Sequence, residues 1–349
     1  MMCGSGCPAN FSLSGHDEKL KLVGHPMNTE ESTPQWQVIG QSVRGAAHQR
    51  NGMPNQDAIC WRPESGIGSP LVLAIADGHG SPRYSRSHTG AKLAVEVAAQ
   101  LIHNFLAGQT DFNNLSLVKR SAEEWLPQAL VRAWVDAVAE HVRENPLPGV
   151  DRGVGASNRN DESASESENF TIAYGATIIA VAVAPGFVTY LQLGDGEILT
   201  VDDRSQVSRP LARDERLFAN ETTSLCAPEA WRDFRVGFQP ITNERPALIL
   251  LATDGYPNSF RDESGFLKVG SDILTAIRAE GVDKVKDNLE TWLTDSTNAG
   301  SGDDVTLGII CSLESAGGKS ENKTTGKPRS GRKSAEPSRS SDLAEADSQ

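Results

Sequence analysis

The feature that most constrains the fold of this chain is a set of apolar runs that end in Asp-Gly. The first run, Leu71–Ala76 (LVLAIA), has neither a polar side chain nor alternation, and Asp77-Gly78 follows it directly. A strand with one solvated face alternates polar and apolar residues, so an unbroken run predicts a strand covered on both faces, with a short buried helix as the alternative. A single Asp-Gly pair is as consistent with a turn as with a functional site.

Carboxylates recur in the same context at three further apolar segments. Asp195-Gly196 follows VTYLQLG, Asp254-Gly255 follows ALILLAT, and Asp303-Asp304 precedes VTLGIICS. Carboxylate oxygens are the ligands that Mg²⁺ and Mn²⁺ prefer, so carboxylates at four strand ends suggest a cation site. The glycine after an aspartate lets the backbone approach closely, so that a carbonyl such as that of Gly78 can also bind the cation.

Length, charge and cysteine content limit the classes of function. The 349 residues carry a formal net charge of −13, which disfavours a nucleic-acid partner or an anionic membrane surface. No apolar run approaches the length of a membrane span, and the N-terminus lacks the basic and apolar regions of a signal peptide. The five scattered cysteines indicate free thiols. We therefore predict a cytoplasmic protein.

Composition divides the chain into three parts. Residues 1–34 are polar and aperiodic, which predicts a flexible N-terminal segment. Residues 315–349 contain seven Lys or Arg, five Asp or Glu and one large aliphatic residue, which predicts a disordered tail. One domain is expected over 35–314, interrupted by a Pro-, Gly-, Ser- and Asn-rich loop insert at about 145–169.

Periodicity places strands and helices inside this domain. Strands are predicted over Trp36–Val43, 58–61, Leu71–Ala76, 174–184, Phe187–Leu193, Glu197–Val201, 247–252 and Val305–Ser312. Helices are predicted over 85–106 and 283–295, where apolar residues recur at helical spacing. A capping box at Ser121 and Glu124 predicts the start of another helix, in which Pro127 either produces a kink or marks the true first turn.

Six segments, in order along the chain, carry a resemblance to a known family. They are HQRNGMPNQDAICW, LAIADGHGS, YGATIIAVAV, LQLGDGEI, LLATDGYPNSF and SGDDVTLGII. Their order and strand context resemble the metal-dependent protein phosphatases of the PP2C type (the PPM family), over about residues 36–313. Bacterial members with a histidine before an Asn-Gln-Asp segment are the most similar. The resemblance implies an α+β fold, a four-layer α-β-β-α sandwich of two mainly antiparallel sheets flanked by helices.

The resemblance also implies roles for individual residues. Two Mn²⁺ or Mg²⁺ ions, and a weak third, are expected at the metal ligands Asp57, Asp77, Gly78, Asp195, Asp254 and Asp303. Asp77 and His79 are the implied catalytic residues: Asp77 bridges two metals that hold the attacking hydroxide, and His79 gives a proton to the leaving alkoxide. Arg44, His48 and Arg50 compete as the cation that binds phosphate, and His48 is favoured because this subgroup has a histidine there.

Two positions depart from the pattern of the family. Gln56 stands where a Glu is usual, and Asn258 stands where an Asp usually contacts the third metal. A neutral amide can coordinate through its oxygen or through a metal-bound water, but it contributes no charge. These departures support an alternative in which the protein is a weak or inactive module that binds or regulates, whereas the presence of the other implied residues opposes it.

The predicted function is hydrolysis of phosphoserine or phosphothreonine in a protein, such as a kinase or a kinase target, by a monomeric enzyme. A small phosphate ester is an alternative substrate. Cys226 and Arg232 have the C-x5-R spacing of cysteine-dependent phosphatases. That chemistry needs a Gly-rich loop whose N–H groups cradle phosphate, but the intervening APEAW has no glycine, and Pro228 lacks an N–H. The thiol mechanism is therefore disfavoured.

Overall fold

The computed structural model describes residues 35–108, 114–147, 170–214, 216, 222–241 and 245–316. These residues lie within one compact unit, Pro34–Gln349. The predicted flexible segment, most of the loop insert and most of the tail lie outside the described residues, so those boundaries stay predictions. Within the described part, no helix is long and apolar enough to cross a membrane.

Two sheets form the centre of the fold, and all of their strand pairs are antiparallel. The six-stranded sheet has the order β3 (Ile67–Gly68), β1 (Trp36–Val43), β11 (Val305–Ser312), β10 (Leu248–Ala252), β7 (Glu197–Val201), β8 (Val207–Ser208). The five-stranded sheet has the order β2 (Ala58–Arg62), β4 (Leu71–Ala76), β5 (Ile178–Ala184), β6 (Phe187–Leu193), β9 (Arg235–Pro240).

Helices cover the outer face of each sheet. They are α1 (Ala46–Asn51), α2 (Ser87–Ala107), α3 (Leu115–Glu124), α4 (Leu126–Glu144), α5 (Glu263–Glu280), α6 (Val282–Ala299) and α7 (Leu313–Ala316). Helix α2 packs on β2, β4 and β5, with α4 outside it, whereas α5 and α6 pack on strands of the six-stranded sheet. The predicted four-layer α-β-β-α sandwich is therefore confirmed.

The run LVLAIA forms β4 and is buried along its whole length. Its odd-numbered residues belong to the core between the two sheets, and its even-numbered residues belong to the core under α2. Both faces of the strand are covered, which explains why the run does not alternate. The predicted strand is confirmed, and the alternative of a buried helix is wrong.

Two local predictions fail for identifiable reasons. The strand predicted over 174–184 begins only at Ile178. The residues before it stay in register with the chain after β4 as far as an isolated bridge between Ala176 and Gly78, but the N–H of Asp77 bonds to the hydroxyl of Thr177 (3.0 Å) and so interrupts the ladder. The capping box at Ser121 is also wrong. Helix α3 already begins at Leu115, with Asn114 as its N-cap, and α4 starts separately at Leu126 with Pro127 in its first turn.

Candidate metal and active site

The carboxylates predicted at strand ends converge at one edge of the sandwich. They are Asp77 after β4, Asp195 before β7, Asp254 after β10 and Asp303 before β11. Strand β10 runs antiparallel to both of its neighbours, and Ala252 near its end pairs with Glu197 in β7 and Leu307 in β11. The end of β10 therefore meets the beginnings of the two adjacent strands. All four carboxylates line one cleft of about 1160 Å³.

Most of the other residues singled out in the sequence also lie at this cleft. His48, Gln56, Gly78, His79 and Asn258 contribute to its wall. Asp57 is buried and is not among the described residues that line the cleft. Arg44 is exposed and donates to the carbonyl of Met53 (3.4 Å), and it too is absent from the described lining.

The centre of the cleft is a contact between two carboxyl groups. Burial, followed by the nearby Asp57 carboxylate, raises the pKa of Asp77 well above its usual range. Burial and the carboxylate of Asp195 raise the pKa of Asp254 to about 6. A divalent cation bound between these carboxylates would balance their charge. This all-oxygen donor set fits Mg²⁺ or Mn²⁺.

Asp57 lies beneath this pair. Its Oδ2 accepts hydrogen bonds from the hydroxyls of Thr253 (2.7 Å) and Thr306 (2.8 Å). Burial raises the pKa of Asp57 well above its usual range, although the two hydroxyls lower it. Its Oδ1 has no protein donor among the described residues, so this oxygen can contribute to a cation.

The loop Asp77–Gly80 is held by its neighbours and is not a free surface turn. Gly78 donates its N–H to the carbonyl of Gln56 (3.1 Å), and His79 donates its N–H to the carbonyl of Gly175 (3.1 Å). A Cβ at position 78 would lie 2.7 Å from the backbone of Ser87, so only glycine fits there. The close approach of three backbone segments therefore explains the glycine after Asp77.

His79 is partly buried, and its ring packs against the ring of Tyr84 with a centroid distance of 4.6 Å. Burial lowers the pKa of His79, whereas the carboxylate of Asp195 raises it. Tyr84 also lines the cleft and had no recognisable signal in the sequence. Its ring fixes the face of the imidazole, so the histidine is ordered at the cleft wall.

His48 and Asp304 form an anchor at the other end of the cleft. His48 Nδ1 bonds to Asp304 Oδ2 (2.8 Å), and its Nε2 lies 3.9 Å from Asp303 Oδ1. Asp304 is buried and also accepts the N–H groups of Gly45 and Gln56, each at 2.6 Å. The three side chains are close enough together to hold a metal. Because three N–H groups already occupy the Asp304 oxygens, we interpret Asp304 as structural.

A cluster of ion pairs on the cleft wall was missed by sequence reasoning. Arg209 bonds to Glu197 and Glu263 (2.7 Å each), and Arg213 bonds to the same two carboxylates at 3.0 and 3.2 Å. Arg213 is the only arginine among the described residues that line the cleft. Glu197 belongs to the segment LQLGDGEI, but Arg209, Arg213 and Glu263 belong to no motif, so only the fold reveals the cluster.

The alternative thiol site has no phosphate-binding geometry. Cys226 contacts the hydroxyl of Ser224 (3.3 Å), and Arg232 pairs with Glu229 (2.9 Å). Neither Cys226 nor Arg232 is among the described residues lining the cleft. The cysteine mechanism is therefore not favoured.

A two-sheet sandwich with a carboxylate-lined cleft and a histidine beside it defines the class of metal-dependent phosphatases built on this fold. The sequence model described as Protein phosphatase 2C matches residues 44–294, and the chain belongs to that family. It is a metal-dependent protein serine/threonine phosphatase. The last motif, with Asp303, lies beyond the matched residues, but β11 pairs with β1 and β10 and so brings it to the same cleft.

Several solved structures are similar to the chain. Stp1 from Staphylococcus aureus is 13% identical, with a TM-score of 0.48, covering 79% of this chain and 94% of its own. PppA from Pseudomonas aeruginosa is 15% identical, with a TM-score of 0.49, covering 80% and 98%. The catalytic domain of PstP in complex with two manganese ions is 18% identical, with a TM-score of 0.47, covering 80% and 99%. No curated protein matches the chain.

Proposed function

We propose that Asp57, Asp77, Asp254 and Asp303, with the carbonyl of Gly78, hold the catalytic divalent cations of this phosphatase. The observation that carries the proposal is the convergence of carboxylates from separate strands in one cleft. The raised pKa values of Asp77 and Asp254 support it, because burial and neighbouring carboxylates disfavour their ionised forms, and a bound cation would offset both effects.

The proposed metal content is two Mn²⁺ or Mg²⁺ ions, with a third bound weakly near Asp195. Asp195 is exposed at the cleft, and Asn258, which lines the same cleft, is neutral, so less charge is available there for a third ion. When bound, the cations would activate water for attack on phosphorus and neutralise charge on the phosphoryl oxygens.

His79 is the proposed proton donor to the seryl or threonyl oxygen that leaves phosphorus. An alkoxide is a poor leaving group, so its protonation by a positioned imidazole lowers the barrier. His48 rather than Arg44 is proposed as the phosphate contact. His48 lines the cleft, and Asp304 occupies its Nδ1, which leaves Nε2 for a phosphate oxygen.

The proposed substrate is a phosphoserine or phosphothreonine protein, such as a kinase or a kinase target, and the proposed working unit is a monomer. The cleft volume of about 1160 Å³ supports a peptide rather than a small phosphate ester, because it leaves room for residues beside the phosphorylated one.

The test is hydrolysis of a phosphothreonine peptide by the purified chain with Mn²⁺, Mg²⁺ or excess EDTA. We expect turnover only with added cation, and we expect Cys226→Ser to behave as the wild-type protein. Full activity in EDTA would contradict the cation site, and loss of activity in Cys226→Ser would restore the thiol mechanism. Failure with the peptide but turnover of small esters would contradict the proposed substrate.

A further inference from the structure

Gln56 contacts the loop Asp77–Gly80 through both its backbone and its side chain. Its carbonyl accepts the N–H of Gly78 (3.1 Å), and its amide nitrogen lies 3.4 Å from the carbonyl of His79. The same nitrogen donates to the hydroxyl of Ser87 at 2.8 Å. Gln56 is only 5% exposed, and Ser87 is fully buried, so these bonds lie in the interior behind the cleft wall.

The partners of Gln56 fix the orientation of its amide group. A backbone carbonyl can only accept hydrogen bonds, so the atom that faces the carbonyl of His79 must be the NH₂ nitrogen. The backbone of Gln56 is fixed independently, because its own N–H donates to Asp304 Oδ2 at 2.6 Å. One residue therefore connects the buried Asp304 anchor to the backbone of His79.

We propose that Gln56 is a positioning residue: its amide N–H groups hold the backbone of His79 so that the imidazole is aligned with the leaving oxygen. The inference rests on the proposed role of His79 as proton donor. It explains why an amide stands where a carboxylate is usual. In this chain, the donor function of Gln56 outweighs the extra negative charge that a glutamate would give to the cation site.

Gln56 as a cation ligand and Gln56 as a positioning residue predict opposite effects of Gln56→Glu on turnover. If Gln56 acts mainly as a cation ligand, a carboxylate improves the site and turnover rises or persists. If Gln56 instead positions His79, the ionised carboxylate of Gln56→Glu cannot donate to the carbonyl of His79. It would be buried and would face that carbonyl oxygen at 3.4 Å. An ionised acceptor facing an acceptor displaces the backbone of His79, while the bond from Gly78 to the backbone carbonyl of Gln56 is kept. A displacement of about 1 Å at the proton donor can cost a hundredfold in rate.

The experiment compares kcat for a phosphothreonine peptide with kcat for p-nitrophenyl phosphate, both at saturating Mn²⁺. Nitrophenolate leaves without a proton, whereas the threonyl alkoxide needs one. We expect Gln56→Glu to lower kcat for the peptide about tenfold or more, and for p-nitrophenyl phosphate by less than about threefold. A variant that was merely unstable would lose both activities together.

Gln49→Glu is the matched control. Gln49 also donates its amide to a backbone carbonyl, that of Arg44 (2.9 Å), but it is exposed and lies outside the described cleft lining. We expect this variant to retain both activities. If Gln49→Glu produced the same difference between the substrates as Gln56→Glu, added charge would explain both results and the inference would be wrong.

Two further variants provide measurements that do not depend on turnover by Gln56→Glu. Ser87→Ala removes one partner of the Gln56 amide without changing the cleft, and it should produce the same difference between substrates in weaker form. Gln56→Met removes the amide altogether, and calorimetric titration of the metal-free protein should give a Mn²⁺ dissociation constant within about twofold of wild type. A much weaker Mn²⁺ affinity in Gln56→Met would make Gln56 a ligand and overturn the inference.

His79→Ala separates this inference from the proposed function. If His79→Ala lowers turnover of both substrates equally, His79 is not the proton donor, and the proposed positioning role of Gln56 is then wrong as well. If His79→Ala affects mainly the peptide but Gln56→Glu does not, the donor stands and the positioning role of Gln56 is wrong. If both variants affect mainly the peptide, both proposals are supported.

Discussion

Two adjacent aspartates before β11 have opposite surroundings. The side chain of Asp304 is 3% exposed, and its oxygens accept N–H groups from Gly45, Gln56 and His48. The side chain of Asp303 is 52% exposed and faces the cleft, where it accepts only the N–H of Asp304 (2.8 Å) among the described donors. A carboxylate filled by N–H groups stabilises the fold, whereas one that faces the cleft is available to a cation.

The same contrast extends to the rest of the site. The anchor region, formed by His48, Asp304 and the backbone of Gln56, is rich in donors and holds one negative charge in the interior. The cleft region contains Asp77 and Asp254, whose pKa values are raised by burial and by neighbouring carboxylates. Aspartates that face the cleft are therefore expected as metal ligands, and those filled by N–H groups are expected as structural residues.

The largest effect is expected for Asp77→Asn, which removes charge from the centre of the cleft. We expect kcat for the phosphothreonine peptide to fall on the order of a thousandfold or more, because cation binding contributes several kcal/mol to such a reaction. Stability in EDTA should not fall, since the raised pKa of Asp77 means that its ionised form is disfavoured in the metal-free protein. Parallel measurements of kcat and thermal unfolding test both statements. Retained turnover in Asp77→Asn would show that the catalytic cations bind elsewhere.

The second prediction concerns the anchor region, where we expect a loss of stability. Asp304→Asn places an NH₂ group against donors that need an acceptor, so we expect a loss of about 2–4 kcal/mol in the free energy of unfolding. Asp303→Asn is the matched comparison, and it should leave stability in EDTA unchanged while weakening Mn²⁺ binding. Urea unfolding measures the stability of both variants, and calorimetric titration measures their Mn²⁺ affinity. Equal stability of the two variants would end the distinction between the two aspartates.

The sequence predicted the fold best where one run of residues belongs to one strand. The bounds of β1, β4, β6, β7 and β11 agree with the predictions from their apolar runs. It failed where a side chain interrupts the strand pairing, as at Thr177, whose hydroxyl accepts the N–H of Asp77 (3.0 Å). The layer order came from the family resemblance, since periodicity does not specify which sheet a strand joins.

In the candidate site, aspartates after apolar runs were predictable because a strand end fixes their direction. Sequence alone could not separate Asp303 from Asp304, because their difference arises from Gly45 and Gln56, about 250 residues earlier in the chain. The ion pairs of Arg213 were equally hidden, since its partners lie in β7 and at the start of α5. Side-chain environment, rather than residue type, distinguishes these roles.

The third prediction concerns pH and the metal-free protein. The pKa of Asp254 is raised to about 6, so between about pH 4 and 6 the folded state binds more protons than the unfolded state. The stability linked to this group is present below about pH 4 and is lost as pH rises through 6. Asp254→Asn has no such titration, so in EDTA it should gain about 1–3 kcal/mol relative to wild type between pH 4 and 7.

Thermal unfolding of wild type and Asp254→Asn across this pH range tests the prediction. With saturating Mn²⁺, wild type should be more stable than Asp254→Asn at pH 7, because wild type binds the cation more tightly and is stabilised by it. A stability difference that does not change with pH in EDTA would show that Asp254 is not held in its proton-binding state by the cleft.

The smallest effect is expected at Asn258, where the cleft is exposed. Its amide nitrogen lies 3.2 Å from Asp254 Oδ2 and donates to it, so the asparagine partly balances that carboxylate when no cation is present. Asn258→Asp replaces this donor with a negative charge beside Asp254 and Asp195. In EDTA the added repulsion should lower stability by less than about 1 kcal/mol, because exposed charges interact weakly through water.

In the presence of cation, Asn258→Asp should be favourable rather than unfavourable. A carboxylate at position 258 adds attraction for a divalent ion, so the Mn²⁺ concentration for half-maximal kcat should fall about three- to tenfold, or about 1 kcal/mol. Asn288→Asp is the control, because Asn288 is a partly exposed asparagine of α6 that bonds only to the carbonyl of Lys284 (2.9 Å) among the described residues. Its Mn²⁺ curve should overlay that of wild type. If the Asn258→Asp curve also overlays wild type, the weak third cation takes no part in turnover, and the contrast between the buried Asp304 and the cleft carboxylates does not extend to the mouth of the cleft.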